Sequence, residues 1–139
     1  MIVLDTNVLS ETLKPAPSPI VRHWLAAQEL TSVFTTTITQ AELFYGVETL
    51  PPGKRRTRLL AALEEILVEG FEARILPFDE EAARQFAKIV VSGEAAGRPI
   101  SQFDAMIAAI ARCHHAAVAT RNTADFERCG IQVIDPWTE

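Results

Sequence analysis

Short apolar runs rich in β-branched residues recur along the chain, and between them apolar residues return every three or four positions. The first pattern marks buried strands, the second helices with one inward face. Ile2–Leu4, ended by Asp5, predicts a strand, and Asn7–Leu13 a short helix or turn that Pro15 and Pro17 stop. Ser18 before Pro19 reads as an N-cap with proline at the first helical position, opening a helix that runs to about Gln28 and buries Val21, Trp24 and Leu25. Ser32–Thr36 is a second strand. Thr39–Leu50 is a helix with Leu43, Phe44 and Val47 on one face, ended by Pro51-Pro52-Gly53. Lys54–Glu69 is the next helix, with Leu59, Leu60, Leu63, Ile66 and Leu67 inward and Gly70 as its C-cap. Arg74–Leu76 is a third strand. Asp79 caps a helix carrying Ala82, Ala83, Phe86, Ile89 and Val90. Ser101 caps another, whose core stripe is Phe103, Met106, Ile107 and Ile110. A strand over Ala117–Thr120, a short helix over Thr123–Arg128 and a strand over Ile131–Ile134 complete the pattern. Strands alternating with helices imply an α/β fold, a parallel sheet covered on both faces.

Composition narrows the class. The 139 residues suit one domain over 1–139, and 48% apolar with 22% charged residues is a globular balance that excludes disorder and fibrous repeats. Apolar runs reach seven residues at Ala105–Ala111. A membrane span needs roughly 18 or more, so none is expected. Asp5 interrupts the opening apolar residues and no basic segment precedes them, so no signal peptide is expected. Cys113 and Cys129 read as reduced thiols, and the expected location is cytoplasmic. Thirteen basic and eighteen acidic side chains give a net charge of −5, unusual for a nucleic-acid binder but suited to an acidic metal site or a basic partner.

In a sheet of this kind ligands bind beyond the carboxyl ends of the strands, and acids gather there. Asp5 follows the first strand. Glu42 lies in the first turn of the helix after the second, Asp104 in the first turn of the helix before the fourth, and Asn122 and Asp125 follow the fourth. Glu42 sits three residues after Thr39 and Asp104 three after Ser101, so both also fit capping boxes or first-turn acids. Asp5 also fits a strand-end turn. Carboxylates gathered in one cleft raise each other's pKa, and a hard divalent cation such as Mg²⁺ relieves the repulsion.

Ile2-Val3-Leu4-Asp5-Thr6-Asn7-Val8-Leu9-Ser10, Ile38-Thr39-Gln40-Ala41-Glu42-Leu43, Asp104-Ala105-Met106-Ile107-Ala108-Ala109, Ala119-Thr120-Arg121-Asn122 and Asp125-Phe126 together resemble the PIN-domain family. More narrowly they resemble the VapC-type toxins of type II toxin–antitoxin systems, of the FitB-like kind. The motifs keep the family's order and span nearly the whole chain. The resemblance implies a three-layer α/β/α sandwich around a mainly parallel five-stranded sheet. It implies an endoribonuclease that hydrolyses RNA phosphodiesters with Mg²⁺ or Mn²⁺. It maps the core acids onto Asp5, Glu42 and Asp104, with metal on Asp5 and Asp104. Thr6 and Asn7 match the polar pair beside the first acid. Many relatives carry a fourth acid directly after Thr-Arg. Here Asn122 stands in that place, and Asp125 either compensates or caps its short helix. One well-held ion is therefore expected, and at most a loosely held second. Bound metal would polarise a phosphoryl oxygen and activate a water, while Glu42 would bind the ion through water or take the nucleophile's proton.

The resemblance also implies a VapB-like antitoxin, and a homodimer in complex with it. An inhibitor is expected to insert an Arg or Lys among the acids and to contact exposed parts of Asn7–Leu13 and Thr39–Leu50. Lys54, Arg55, Arg56 and Arg58 open a helix where the dipole disfavours positive charge, and read either as a solvated face or as contacts to RNA phosphates. Cys113-His114-His115 with Cys129 makes a poor zinc site, since neighbouring helical side chains diverge by about 100°. Trp24, Phe44 and Phe86 fall on core stripes. A phosphatase with an Asp nucleophile would want a second Asp where Asn7 stands. A catalytically impaired PIN domain that only binds its antitoxin is the main alternative, given Asn122.

Overall fold

The computed structural model describes residues 1–138. Strand β1 (Ile2–Leu4) leads into α1 (Thr6–Thr12) and α2 (Pro19–Ala26), then β2 (Val33–Thr36), α3 (Thr37–Glu48), α4 (Lys54–Glu65) and β3 (Ile75–Leu76). Helices α5 (Glu80–Ala95) and α6 (Gln102–Cys113), β4 (Ala117–Ala119), α7 (Thr123–Phe126) and β5 (Val133–Ile134) follow. The five strands form one sheet in the order β3-β2-β1-β4-β5, and every pairing is parallel.

Period-two alternation sorts the strand residues between two cores. Val3, Phe34 and Val118 face the core built with α5, α6 and α7. Ile2, Leu4, Val33 and Ala119 face the core built with α1 to α4, where Trp24, Leu43, Val47, Leu63 and Leu67 meet. Covering on both faces explains why the strands read as apolar runs rather than as apolar–polar alternation. Helix α6 is buried nearly all round, because Ala105, Ala108, Ala109 and Ala111 let sheet and neighbouring helices approach closely.

The order of the strands positions the site. From β1 the chain builds outward through β2 to β3, then crosses back to place β4 on the other side of β1. The connections therefore diverge at the carboxyl ends of β1 and β4, leaving a crevice there. Asp5 follows β1 at that crevice and Thr120 follows β4.

Four expectations need correction. Helix α3 starts at Thr37, with Thr36 as its N-cap accepting from the Thr39 amide at 3.1 Å. Glu42 therefore lies in the second turn and not in a capping box with Thr39. The helix over Lys54–Glu69 is α-helical to Glu65 and widens into a π turn at Ile66–Gly70. Gly70 is not its left-handed cap: the Arg74 guanidinium closes the end instead, donating to the carbonyls of Gly70, Val33 and Leu30. Phe103 is 52% exposed, because the inward face of α6 begins after it, at Ala105. The last strand is confined to Val133–Ile134, so the stretch from Ile131 enters as an extended lead-in. Among the described residues no helix is long and apolar enough to cross a membrane.

Gly93 sets the turn between α5 and α6. A Cβ there would stand 2.8 Å from the Arg98 carbonyl oxygen, which is backbone and cannot swing away. Gly93→Ala is expected to cost about 1–3 kcal/mol by overpacking, and to displace the loop that delivers Ser101 and Asp104. Urea unfolding of the variant checks this.

Candidate active site

Asp5 is the N-cap of α1. Its Oδ1 accepts from the Thr6 amide at 2.8 Å, and its Oδ2 accepts from the Thr120 hydroxyl at 2.8 Å and from Asn7 Nδ2 at 3.4 Å. Asp5 is 3% exposed. Thr120 is buried and fully used: while donating to Asp5 it accepts from Asn7 Nδ2 and from the Asn122 amide. Asn7 Oδ1 in turn accepts from the Arg121 amide at 3.2 Å. The chain segments after β1 and β4 are thus bound to each other through one carboxylate, one hydroxyl and one side-chain amide.

Glu42 comes from α3. Its Oε1 accepts from the Thr6 hydroxyl at 2.7 Å, and that hydroxyl lies 3.2 Å from the Thr39 hydroxyl. Asp104 is at the third position of α6, where its amide donates to the N-cap Ser101 Oγ at 3.3 Å. Asp5, Glu42 and Asp104 line one cleft of about 370 Å³ with Thr6, Asn7, Ser10 and Asn122. Glu11, Lys14, Arg121 and Trp137 complete its wall.

Electrostatics distinguish the acids. Burial pushes the Asp5 carboxyl up from 3.8 to about 6, assisted by repulsion from Asp104 and Glu42 and opposed by its hydrogen bonds from Thr120 and Thr6. Asp104 is raised too, by burial first and then by Asp125, against its bond with Ser101. Glu11 moves the other way, because the Lys14 ammonium and the Ser18 amide donate to it at 3.0 Å. The cleft therefore has an acid pole short of positive charge, and a wall carrying Lys14 and Arg121.

The donor set at that pole is all oxygen, with carboxylates that lose stability on ionising together. A hard divalent cation fits it. The three acids do not close into a cage: among the described residues, no group of three or more His, Cys, Asp or Glu side chains is arranged to hold an ion. Mg²⁺ needs none, since it keeps most of its waters and takes one or two carboxylates.

Of the residues singled out in the sequence, Asp5, Thr6, Asn7, Glu42, Asp104 and Asn122 meet in the cleft. Asp125 does not line it. It is exposed in the first turn of α7, near enough to Asp104 to raise it but outside the wall. Lys54, Arg55 and Arg58 line a neighbouring groove, whereas Arg56 is turned to Glu48 in an ion pair. Cys113 and Cys129 sit at the far end of α6 and after α7, and form no metal site with His114 and His115. Sequence reasoning gave no site role to Thr120 and Arg121, which it met only as part of a family motif, and missed Glu11, Lys14 and Trp137. Thr120 had a signal, a polar residue straight after an apolar strand at the divergence point. Trp137 had none, because only the path of the C-terminal segment brings it to the cleft.

The family model described as "PIN domain" matches residues 2–131. VapC ribonuclease Y4jK of Sinorhizobium fredii is 42% identical over 137 residues, covering 99% of this chain and 98% of that protein. Toxin FitB of Neisseria gonorrhoeae is 42% identical over 137 residues, covering 99% of each. The crystal structure of FitAcB from Neisseria gonorrhoeae superposes with a TM-score of 0.94 at 42% identity, covering 100% of both chains.

The raised Asp5 carboxyl has a consequence for stability. Between 3.8 and about 6 the folded chain holds a proton that the unfolded chain has released. The contribution of Asp5 is therefore most favourable below about pH 4 and falls, by about 3 kcal/mol in all, as pH rises through 6. Asp5→Asn is expected to remove this slope, so that its urea midpoint gains on that of the parent as pH increases. Added Mg²⁺ at neutral pH is expected to recover part of the loss in the parent only.

Proposed function

The chain belongs to the PIN-domain family, and from that premise we propose that the acid cleft is the active site of an endoribonuclease acting as the toxin of a toxin–antitoxin pair. The convergence of Asp5, Glu42 and Asp104 from three separate elements at the divergence point of the sheet carries this reading. Asp5 and Asp104 would hold one divalent cation, Mg²⁺ or Mn²⁺, whose chemistry when bound is to polarise a phosphoryl oxygen and acidify a water. Asn122 in place of a fourth acid leaves fewer ligands for a second ion. Nothing observed favours an impaired, binding-only domain, since the three core acids are all present in the cleft.

The chain's own groups have separable tasks. Thr6, Asn7 and Thr120 fix the rotamer of Asp5, so that the carboxylate does not have to be ordered when a ligand arrives. Glu42 is anchored through Oε1 by Thr6, which leaves Oε2 to accept a proton from the attacking water. Lys14 and Arg121 draw the RNA phosphates toward an otherwise acidic protein. The site lies within the PIN domain, and its work is done in the cytoplasm.

An antitoxin partner accompanies this function. A groove of about 940 Å³ shares Thr6, Ser10, Lys14 and Glu42 with the cleft, and runs over Leu13, Leu43, Val47, Leu50, Leu59 and Leu63. Lys54, Arg55 and Arg58 line it as well. The antitoxin lays apolar side chains in the groove and sends an Arg or Lys among Asp5, Glu42 and Asp104, where charge-assisted hydrogen bonds take the cation's place. The rim being basic, the groove-covering stretch carries acids and only its cleft-facing end is basic. The free toxin uses the same Lys54, Arg55 and Arg58 for RNA phosphates, so antitoxin and substrate compete.

Asp5→Asn and Asp104→Asn are each expected to lower RNA cleavage by at least about a hundredfold with circular dichroism unchanged, and chelator to do the same reversibly. Full activity in either variant, or cleavage resistant to chelator, overturns the assignment. Replacing Lys54, Arg55 and Arg58 together by Gln is expected to weaken RNA binding and to reduce its salt slope by up to about two, as measured by filter binding across NaCl concentrations.

A further inference from the structure

Trp137 forms part of the cleft wall together with Arg121. Its indole packs partly against the core on the α1–α4 side of the sheet. Its backbone is held as well, the amide donating to Asp135 Oδ1 at 2.9 Å just after the buried Pro136. The Arg121 guanidinium carbon lies over the indole, 5.0 Å from the ring centroid. Arg121 is not loosely placed either. It follows Thr120, which donates to Asp5, and its amide donates to Asn7, which also contacts Asp5. A guanidinium set over an aromatic ring is therefore registered, through the backbone, against the carboxylate at the centre of the acid pole.

Such a pair matches the faces of nucleobases. Bases splayed from single-stranded RNA stack on aromatic rings and on guanidinium planes, whichever base is present. Resting on the indole lowers the cost of holding the guanidinium flat, since cation–π attraction already orders it. A pairing that served only to pack the C-terminal segment would have no reason to line the cleft beside the acids.

We propose that Arg121 and Trp137 form the subsite for the base next to the scissile phosphate, with the guanidinium layered between indole and base. The proposal rests on the ribonuclease reading above, and it assigns to this pair the positioning of the substrate and its preference for a stacked, unpaired nucleotide. Neither residue takes part in bond breaking. Lysine at 121 would keep the charge but lose the plane.

The chain has two tryptophans, and the other, Trp24, is a buried core residue on α2. In a Trp24→Phe background, Trp137 emission is followed while a single-stranded oligoribonucleotide is added with Ca²⁺ in place of Mg²⁺. An abasic oligomer of the same length serves as the phosphate-only control. Should Trp24→Phe fail to fold, the same titration on the parent is read as a difference from Trp137→Phe. Emission is expected to be quenched by the base-bearing oligomer and not by the abasic one. In Mg²⁺, Arg121→Lys is expected to raise KM roughly tenfold, the loss of about one stacked base, with kcat changing far less, and to flatten discrimination between single-stranded and paired sites. Equal responses to both oligomers, or an unchanged KM in Arg121→Lys while the parent cleaves RNA, overturn the stacking subsite and leave the ribonuclease reading intact. A parent that cleaves no RNA counts against the ribonuclease reading, while the emission titration still tests base stacking.

Discussion

A buried carboxylate beyond the end of the central strand is the constraint around which this molecule is arranged. Asp5 is removed from water at the divergence point of the sheet, and burial of its charge is only partly offset by the Thr6 amide and the Thr120 hydroxyl. Isolated charges do not persist in such places without partners, so the surrounding residues serve it. Thr120 spends its hydroxyl proton on Asp5 and its lone pairs on Asn7 and Asn122. Asn7 spends its carbonyl on the Arg121 amide. The loops after β1 and β4 are joined because one charge has to be hydrogen-bonded.

What remains unsatisfied at Asp5 is electrostatic rather than geometric. Its three hydrogen bonds are in place, yet it still protonates more readily than a carboxyl in water, with Asp104 and Glu42 contributing repulsion. A site that is ordered but short of positive charge is prepared for a cation, and for any cationic side chain that competes with one. On the function proposed above, catalysis and inhibition would draw on the same shortage, a metal ion and an inhibitor's Arg or Lys sharing one set of acids.

The two faces of the sheet carry different burdens. The α5–α6–α7 side is a dense alanine-rich layer that holds Asp104 at the start of α6. The α1–α4 side supplies Thr6, Asn7 and Glu42 and opens into the apolar groove beside the cleft. A densely packed face on one side and an accessible apolar groove on the other suit the proposed function, in which an antitoxin lying in the groove would govern the activity.

Much of this was legible in the chain. Local chemistry specified Asp5 at a strand end, Ser18 and Ser101 as caps, Pro51-Pro52-Gly53 as a break, and a parallel sheet from apolar strands between helices, because those signals act within a few residues. The three acids were legible as a set through the rule that places ligands beyond strand ends and through the resemblance to the PIN-domain family. The register of Glu42 on α3 was misread because two threonines, Thr36 and Thr39, both qualify as caps. Thr36 takes the role because β2 ends at it, where its Oγ1 accepts from the Thr39 amide. The side-chain cap by Arg74, the pairing of Arg56 with Glu48, the exclusion of Asp125 and the arrival of Arg121 and Trp137 on the cleft wall were decided by tertiary structure alone. Arg74 reaching Leu30 and Val33, and the arrival of Arg121 and Trp137, depend on where segments far apart in the chain come to lie, which strand order fixes and local sequence does not.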